Sequence, residues 1–173
     1  TASHVACLFA QLGAEPAQSL LAAMRDNGVV IAGGNKACAE MVAAGRLAFA
    51  LTDTDDALAE VDAGKPLRIV WPDQGGDQMG ALLLPNTLAL VRGCPHPAAG
   101  VQLIEYLLSA EVEAKLAEGP SGQIPLHRSA TISSRVGDWR DKRLMHVDFV
   151  SAADGFGAAA EYVESHFLAP KAD

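Results

Sequence analysis

The stretch VVIAGGNKACAEMVAAGRLAFALTDTDD, Val29–Asp56, decides how this chain reads. Val29-Val30-Ile31 is a short β-branched run and predicts a buried strand. Gly33-Gly34-Asn35 turns the chain into a helix with Cys38, Met41 and Val42 inward and Gly45 just past its end. Leu47 to Leu51 predicts the next strand. The polar run Thr52-Asp53-Thr54-Asp55-Asp56 then leads into a helix that carries Leu58 and Val61 and stops at Gly64.

Outward from this stretch the same alternation continues. Upstream, Ser3 is placed to cap a helix through Ala6, Leu8, Phe9 and Leu12, ended by Gly13. A second helix begins near Pro16, shows Leu20, Leu21 and Met24 on one side, and stops at Asn27-Gly28. Downstream, Lys65-Pro66 opens a strand from Leu67 to Trp71. Alternating helices and strands predict an α/β fold, a mixed sheet flanked by helices.

Pro72 to Met79 is a Gly/Asp/Gln-rich break, the most natural crossing between parts of the chain. Two further strand-like runs follow, Ala81 to Leu84 and Thr87 to Val91. After the Gly93–Pro97 turn comes a helix with Val101, Ile104, Tyr106, Leu107 and Leu108. Ser109 restarts a helix, with Glu111 in its first turn and Gly119 beyond its end. Pro120 to Trp139 reads as irregular, and a last helix spans Gly157 to Leu168.

Composition narrows the function classes. The chain has 173 residues, half of them hydrophobic, with a formal net charge of −8. Nucleic-acid binding needs clustered Lys and Arg, and the basic residues here are scattered. The closest group, Arg140, Lys142 and Arg143, reads as a solvated surface turn. Cys7, Cys38 and Cys94 have neither disulfide nor zinc spacing, and Cys7 and Cys38 lie on apolar helix faces as inert thiols. No apolar run approaches the roughly 20 residues of a membrane span. No serine lies in a nucleophile-elbow context and no histidine has a partner at motif spacing, so the chain is read as a non-enzyme.

Three segments fall where helix-flanked sheets hold ligands, at strand ends and helix starts. Around Ser3, free amides and hydroxyls suit an anion, and a plain helix cap explains them equally well. At Gly33-Gly34-Asn35-Lys36, Asn35 either caps a helix or meets a ligand. In Thr52-Asp53-Thr54-Asp55-Asp56, close carboxylates can hold a hard cation or an ammonium group, and the same acids suit a helix start. The run lacks the glycine and distal glutamate of an EF-hand.

The order of these motifs resembles the ABC-transporter extracellular solute-binding proteins of family 1, the ferric-iron-binding type. The resemblance rests on Gly33-Gly34-Asn35-Lys36, Met41 to Arg46, Leu47 to Asp53, Pro72-Asp73-Gln74, Leu83 to Thr87, the Gly93–Pro97 turn and Leu103 to Ser109. It covers about Thr1 to Pro125 and corresponds to the later part of such a protein. It implies a type II periplasmic-binding fold, here an incomplete two-lobe protein. Residues 1–72 would form a second-lobe segment, 73–108 a return to the first lobe, and 109–173 a C-terminal helical segment.

The implied function is the solute-binding component of an iron(III)-transporter-like ABC importer, holding a small ligand in an interlobe cleft. Ser3, Asn35, Thr52, Asp53, Asp55 and Asp73 are the expected ligand contacts. No cofactor is required, although a metal ion or small anion could be bound. The expected partners are the solute and a membrane permease, in the periplasm or outside the cell, reached through a signal sequence that this chain does not carry. The alternative is a stand-alone regulatory or structural domain of the same fold.

One departure bears on the ligand. Ferric-binding relatives place adjacent tyrosines after the strand equivalent to Leu47–Leu51, because phenolate oxygens suit Fe(III). Here Asp53, Thr54, Asp55 and Asp56 stand there, and the only tyrosines are Tyr106 and Tyr162. Carboxylates and hydroxyls better suit a hydrated metal ion, a cationic organic solute, or an anion held by backbone amides.

Overall fold

A computed structural model describes residues 2–168. In chain order its α-helices are α1 (Ala2–Leu12), α2 (Ala14–Asp26), α3 (Asn35–Ala43), α4 (Thr54–Asp62), α5 (Pro97–Leu107), α6 (Ala110–Glu118), α7 (Phe149–Asp154) and α8 (Phe156–Val163). A 3₁₀ turn covers Trp139–Asp141, and a π-helical turn, Glu164–Leu168, continues α8. The chain divides into two compact units, one formed by the segments up to Ile31 and from Met145 onward, the other by Ala32–Leu144.

The first unit is a cluster of helices around α1. Val5, Ala6 and Cys7 of α1 are buried, and α1 packs on α2, α7 and α8. Ala17 of α2 and Ala159 of α8 are completely enclosed. Small residues at such points let helix backbones approach closely. Gly13, at φ 83, breaks α1 from α2 in a conformation that side-chain-bearing residues avoid. The Phe9 ring meets Tyr162 edge-on at 5.9 Å, and the Tyr162 hydroxyl donates to the Gln18 carbonyl at 3.2 Å. Burial pushes the Cys7 thiol above its usual range, which keeps it protonated and inert.

Asp148 caps α7. Its carboxylate accepts from Val150 N at 3.0 Å, Ser151 N at 3.4 Å and Ser151 Oγ at 2.7 Å. These bonds, those of Ser151 foremost, hold its pKa below the ordinary 3.8. A depressed carboxylate contributes stability above its unfolded pKa and loses it as the pH falls through the lower folded value. Helicity followed by circular dichroism from pH 6 downward should therefore fall in an acid step that Asp148→Asn reduces. An unchanged acid profile in that variant would mean that the cap contributes nothing.

The second unit pairs α3 with α4 and α5 with α6. Its buried positions include Ala39, Ala57, Leu58, Val112, Ala117 and Val136. Ser109 caps α6, accepting from Val112 N at 3.4 Å, and Glu111 and Glu113 sit in its first turn as the macrodipole favours. Pro97 occupies the first turn of α5, where its missing N–H costs nothing. The long connections are tied by side chains reaching across the unit. Trp71 Nε1 donates to Val136 O at 3.0 Å, Trp139 Nε1 to Pro125 O at 3.1 Å, and Arg135 pairs with Asp62 at 2.7 Å.

The helices lie close to where the sequence puts them, and Gly45 ends α3 at φ 69 as expected. Two readings shift. Ser3 lies inside the first turn of α1 and not at its cap, and the last helical region begins already at Phe149.

The expected α/β architecture is corrected. Among the described residues there is no sheet, and the only β-type pairing is an isolated parallel bridge between Ala81 and Leu144. Val29–Ile31, Leu47–Leu51, Leu67–Trp71, Leu82–Leu84 and Thr87–Val91 all lie outside any strand. A strand is stable only as part of a ladder, and three or more strands with a covered apolar face are needed for that. Helices take the buried faces instead. The runs are left largely in solvent, with Val30 51%, Phe49 81%, Leu51 69% and Val91 73% exposed. The type II helix-flanked mixed sheet is thus not the fold of these residues.

Candidate functional site

The starts of α3 and α4 come together in the second unit. Gly34 precedes α3 at φ 147, open to glycine but not to residues with a Cβ. It delivers Asn35 as the first helical residue, not as its cap. Asn35 Nδ2 donates to Asp53 Oδ2, and Thr52 Oγ1 donates to Asn35 O at 2.9 Å. Asp53 stands at the N-cap of α4 with extended backbone, φ −88 and ψ 170, yet its carboxylate makes no capping bond. It is spent on Asn35, so the two helix starts are joined by side chains and not each closed on itself.

Burial one turn into each helix holds this junction. Ala39 of α3 and Ala57 and Leu58 of α4 are buried, and α3 packs directly on α4. The junction itself faces solvent: Asn35, Thr52 and Asp53 are exposed. Asp55 and Asp56 occupy the first turn of α4 and are half-buried. Among the described residues no group of three or more His, Cys, Asp or Glu side chains converges as a metal site would require. The carboxylates of the Thr52–Asp56 run are therefore spread along a helix start and not gathered around one point.

The junction sets charged and hydrogen-bonding groups side by side at the surface. Asp53 offers negative charge to an ammonium group, Thr52 and Asn35 offer hydrogen-bonding oxygen and nitrogen, and two helix starts offer amide N–H groups to an anion. A solute carrying both charges would find both complements within one short span.

Of the other expected contacts, Asp55 stands in the first turn of α4 beside Asp53, and Asp73 and Ser3 lie elsewhere. Asp73 belongs to the same unit but to the Pro72–Gly80 connection, where it is the one non-glycine residue at positive φ, 54°, among those described. Asp55 and Asp73 side chains accept no hydrogen bond among the described residues. Ser3 belongs to the first unit and is exposed on α1.

Two features were not anticipated from the sequence. Arg143 is no loose surface cation: its guanidinium donates to Gln78 O at 3.0 Å and to Gly76 O. Its partners lie 65 and 67 residues away, so no local pattern announces it. The second is an open depression of about 350 Å³ in the first unit, lined among others by Glu15, Gln18, Arg25, Tyr162 and His166. The helical spacing 15, 18, 19, 22, 25 along α2 was visible in the sequence, whereas the Tyr162–His166 stack that walls it, 4.1 Å between rings, was not.

The profile of the bacterial extracellular solute-binding proteins matches residues 9–139. Curated proteins of Salmonella typhimurium, Salmonella paratyphi A and Salmonella typhi are each 31% identical to the chain over 78 residues. Each bears the name "Putative 2-aminoethylphosphonate-binding periplasmic protein". The aligned part is 45% of this chain and 23% of each relative, so the chain spans well under half of the length of the relatives it matches. No solved structure matches it.

Proposed function

Since the chain belongs to the bacterial extracellular solute-binding protein family, we propose that it binds a small aminoalkylphosphonate-like zwitterion and delivers it to an ABC importer. The observation that carries this reading is the junction of Asn35, Thr52 and Asp53 at two helix starts. An ammonium group on one end of the solute pairs with Asp53. The phosphonate on the other end takes hydrogen bonds from the helix-start amides and from Asn35 or Thr52. Asp55 adds negative charge in the first turn of α4, and Asp73, on the Pro72–Gly80 connection of the same unit, is a further contact. The relatives' name supports the same solute class.

Iron(III) is not the ligand proposed. Tyr106 and Tyr162 are the chain's only tyrosines, and they stand singly in α5 and α8, not as the adjacent pair that the ferric-binding type places after the strand equivalent to Leu47–Leu51. On this reading the protein works in the bacterial envelope, outside the cytoplasmic membrane, and hands its solute to a membrane permease without chemical turnover. None of the described helices is long and apolar enough to cross a membrane.

A thermal-shift series tests the solute class. Ligand at a hundredfold excess over Kd stabilises by about 2.7 kcal/mol, an upward shift of several degrees for a protein of this size. 2-Aminoethylphosphonate should produce it, and ethylamine and inorganic phosphate, each carrying half of the solute, should produce much less. A larger shift with ferric citrate than with the phosphonate would reverse the assignment.

A further inference from the structure

The Pro72–Gly80 connection carries no regular structure, yet it is held at close intervals by one residue. The Arg143 guanidinium donates to Gly76 O and, at 3.0 Å, to Gln78 O. The Arg143 backbone is engaged as well: its N–H donates to Gln74 Oε1 at 3.0 Å, and its carbonyl accepts from Gln74 Nε2 and from Ala81 N, both at 3.0 Å. Gln74 Nε2 also donates to Pro72 O at 2.7 Å, and Gln78 Oε1 accepts from Gly75 N at 2.6 Å. Immediately upstream, Trp71 is tied to Val136, and Lys142 lies 5.9 Å from the Trp71 ring centroid.

Asp73 sits at the centre of this arrangement. On one side of it Gln74 is bonded to the Arg143 backbone, on the other the Pro72 carbonyl accepts from that same Gln74 side chain, and Asp73 itself is held at φ 54. Its half-buried side chain is the one polar side chain in Pro72-Asp73-Gln74 that the clamp leaves without a bond among the described residues. A guanidinium whose partners are carbonyl oxygens, and which forms no ion pair among the described residues, is an unusual use of a cation. A lysine cannot reproduce it, because a point charge does not span two carbonyls in fixed fork geometry.

We propose that Arg143, with Gln74, is a positioning residue that presets Asp73 as a contact for the solute. This rests on the solute-binding reading above and adds to it the residue that orders one of its contacts. The clamp acts before the solute arrives: it removes the disorder of an otherwise free connection, so that Asp73 is presented without further ordering on binding.

Hydrogen exchange of the free protein and titration with 2-aminoethylphosphonate test this together. Arg143→Lys and Arg143→Ala should speed exchange of the amides at Gly75, Gln78 and Ala81 at least tenfold and leave α5 and α6 unchanged. Both should weaken solute binding at least fivefold. Asp73→Asn, a residue type that tolerates positive φ, should weaken binding without changing exchange. The double variant Arg143→Ala/Asp73→Asn should then bind no worse than Asp73→Asn alone, since a residue acting through Asp73 has nothing left to act on. Additive losses, or unchanged exchange in the Arg143 variants while the wild-type protein binds, would overturn the positioning role. Absence of binding by the wild-type protein would instead remove the solute-binding reading on which it rests.

Discussion

Gly80→Ala should destabilise the second unit by about 2–4 kcal/mol, the sum of a left-handed backbone penalty and overpacking. Gly80 lies at φ 92, where a side chain is strained whatever the space around it. A Cβ there would meet the backbone carbon of Leu144 at 2.6 Å and that of Arg143 at 2.9 Å. Neither atom belongs to a flexible side chain that could swing aside. The cost would fall on the one place among the described residues where distant segments pair through backbone, the Ala81–Leu144 bridge and the bond from Ala81 N to Arg143 O at 3.0 Å. Gly76→Ala is the matched control: nothing lies within 4 Å of its Cβ position and its φ is not positive. It should stay within about 0.5 kcal/mol of the parent protein. Urea midpoints for the two variants check the contrast, and equal midpoints would show that the contact at Gly80 does not exist.

Asp53→Asn should weaken binding of 2-aminoethylphosphonate by roughly 10–100-fold, the loss of one charge-assisted contact worth about 1.5–3 kcal/mol. Asparagine keeps the N-cap preference of the position, so α4 should start where it does now. What is removed is the charge that the proposed reading sets against an ammonium group. Because Asp53 is exposed and its carboxylate is spent on Asn35 rather than on its own helix, stability should change little. Binding of methylphosphonate, which lacks the ammonium, should be unaffected or improved. A variant that loses both ligands equally would place Asp53 in a structural role only.

Much of the helical content was legible because its signals are local. Gly13, Asn27-Gly28, Gly45, Ser109 and Gly119 mark ends that depend on dihedral freedom or a cap three residues away. The sheet was misread for the opposite reason. Runs such as Val29–Ile31 and Leu47–Leu51 have the composition of strands, but pairing is decided by partners far along the chain. Short apolar runs do not reveal whether such partners exist. Phe49 and Leu51, predicted to lie in a strand, stand among the most exposed large side chains.

The candidate site divides in the same way. Gly33-Gly34-Asn35 and Thr52-Asp53 were recognisable as helix starts, and the structure brings them within hydrogen-bond distance of each other. That they use each other as partners was not legible, because separations of 17 and 18 residues leave no spacing rule. The role of Arg143 lay further out of reach: it was grouped with Arg140 and Lys142 as a surface turn. Of the three, Arg140 pairs locally with Asp138 at 2.8 Å, and only Arg143 reaches back to the Pro72–Gly80 connection.

Isothermal titration of the protein with 2-aminoethylphosphonate, run beside Asp53→Asn, tests the central claim most directly. The account predicts saturable one-to-one binding by the parent protein and a curve at least tenfold weaker for the variant. No binding by the parent protein, or identical curves for the two, would contradict it.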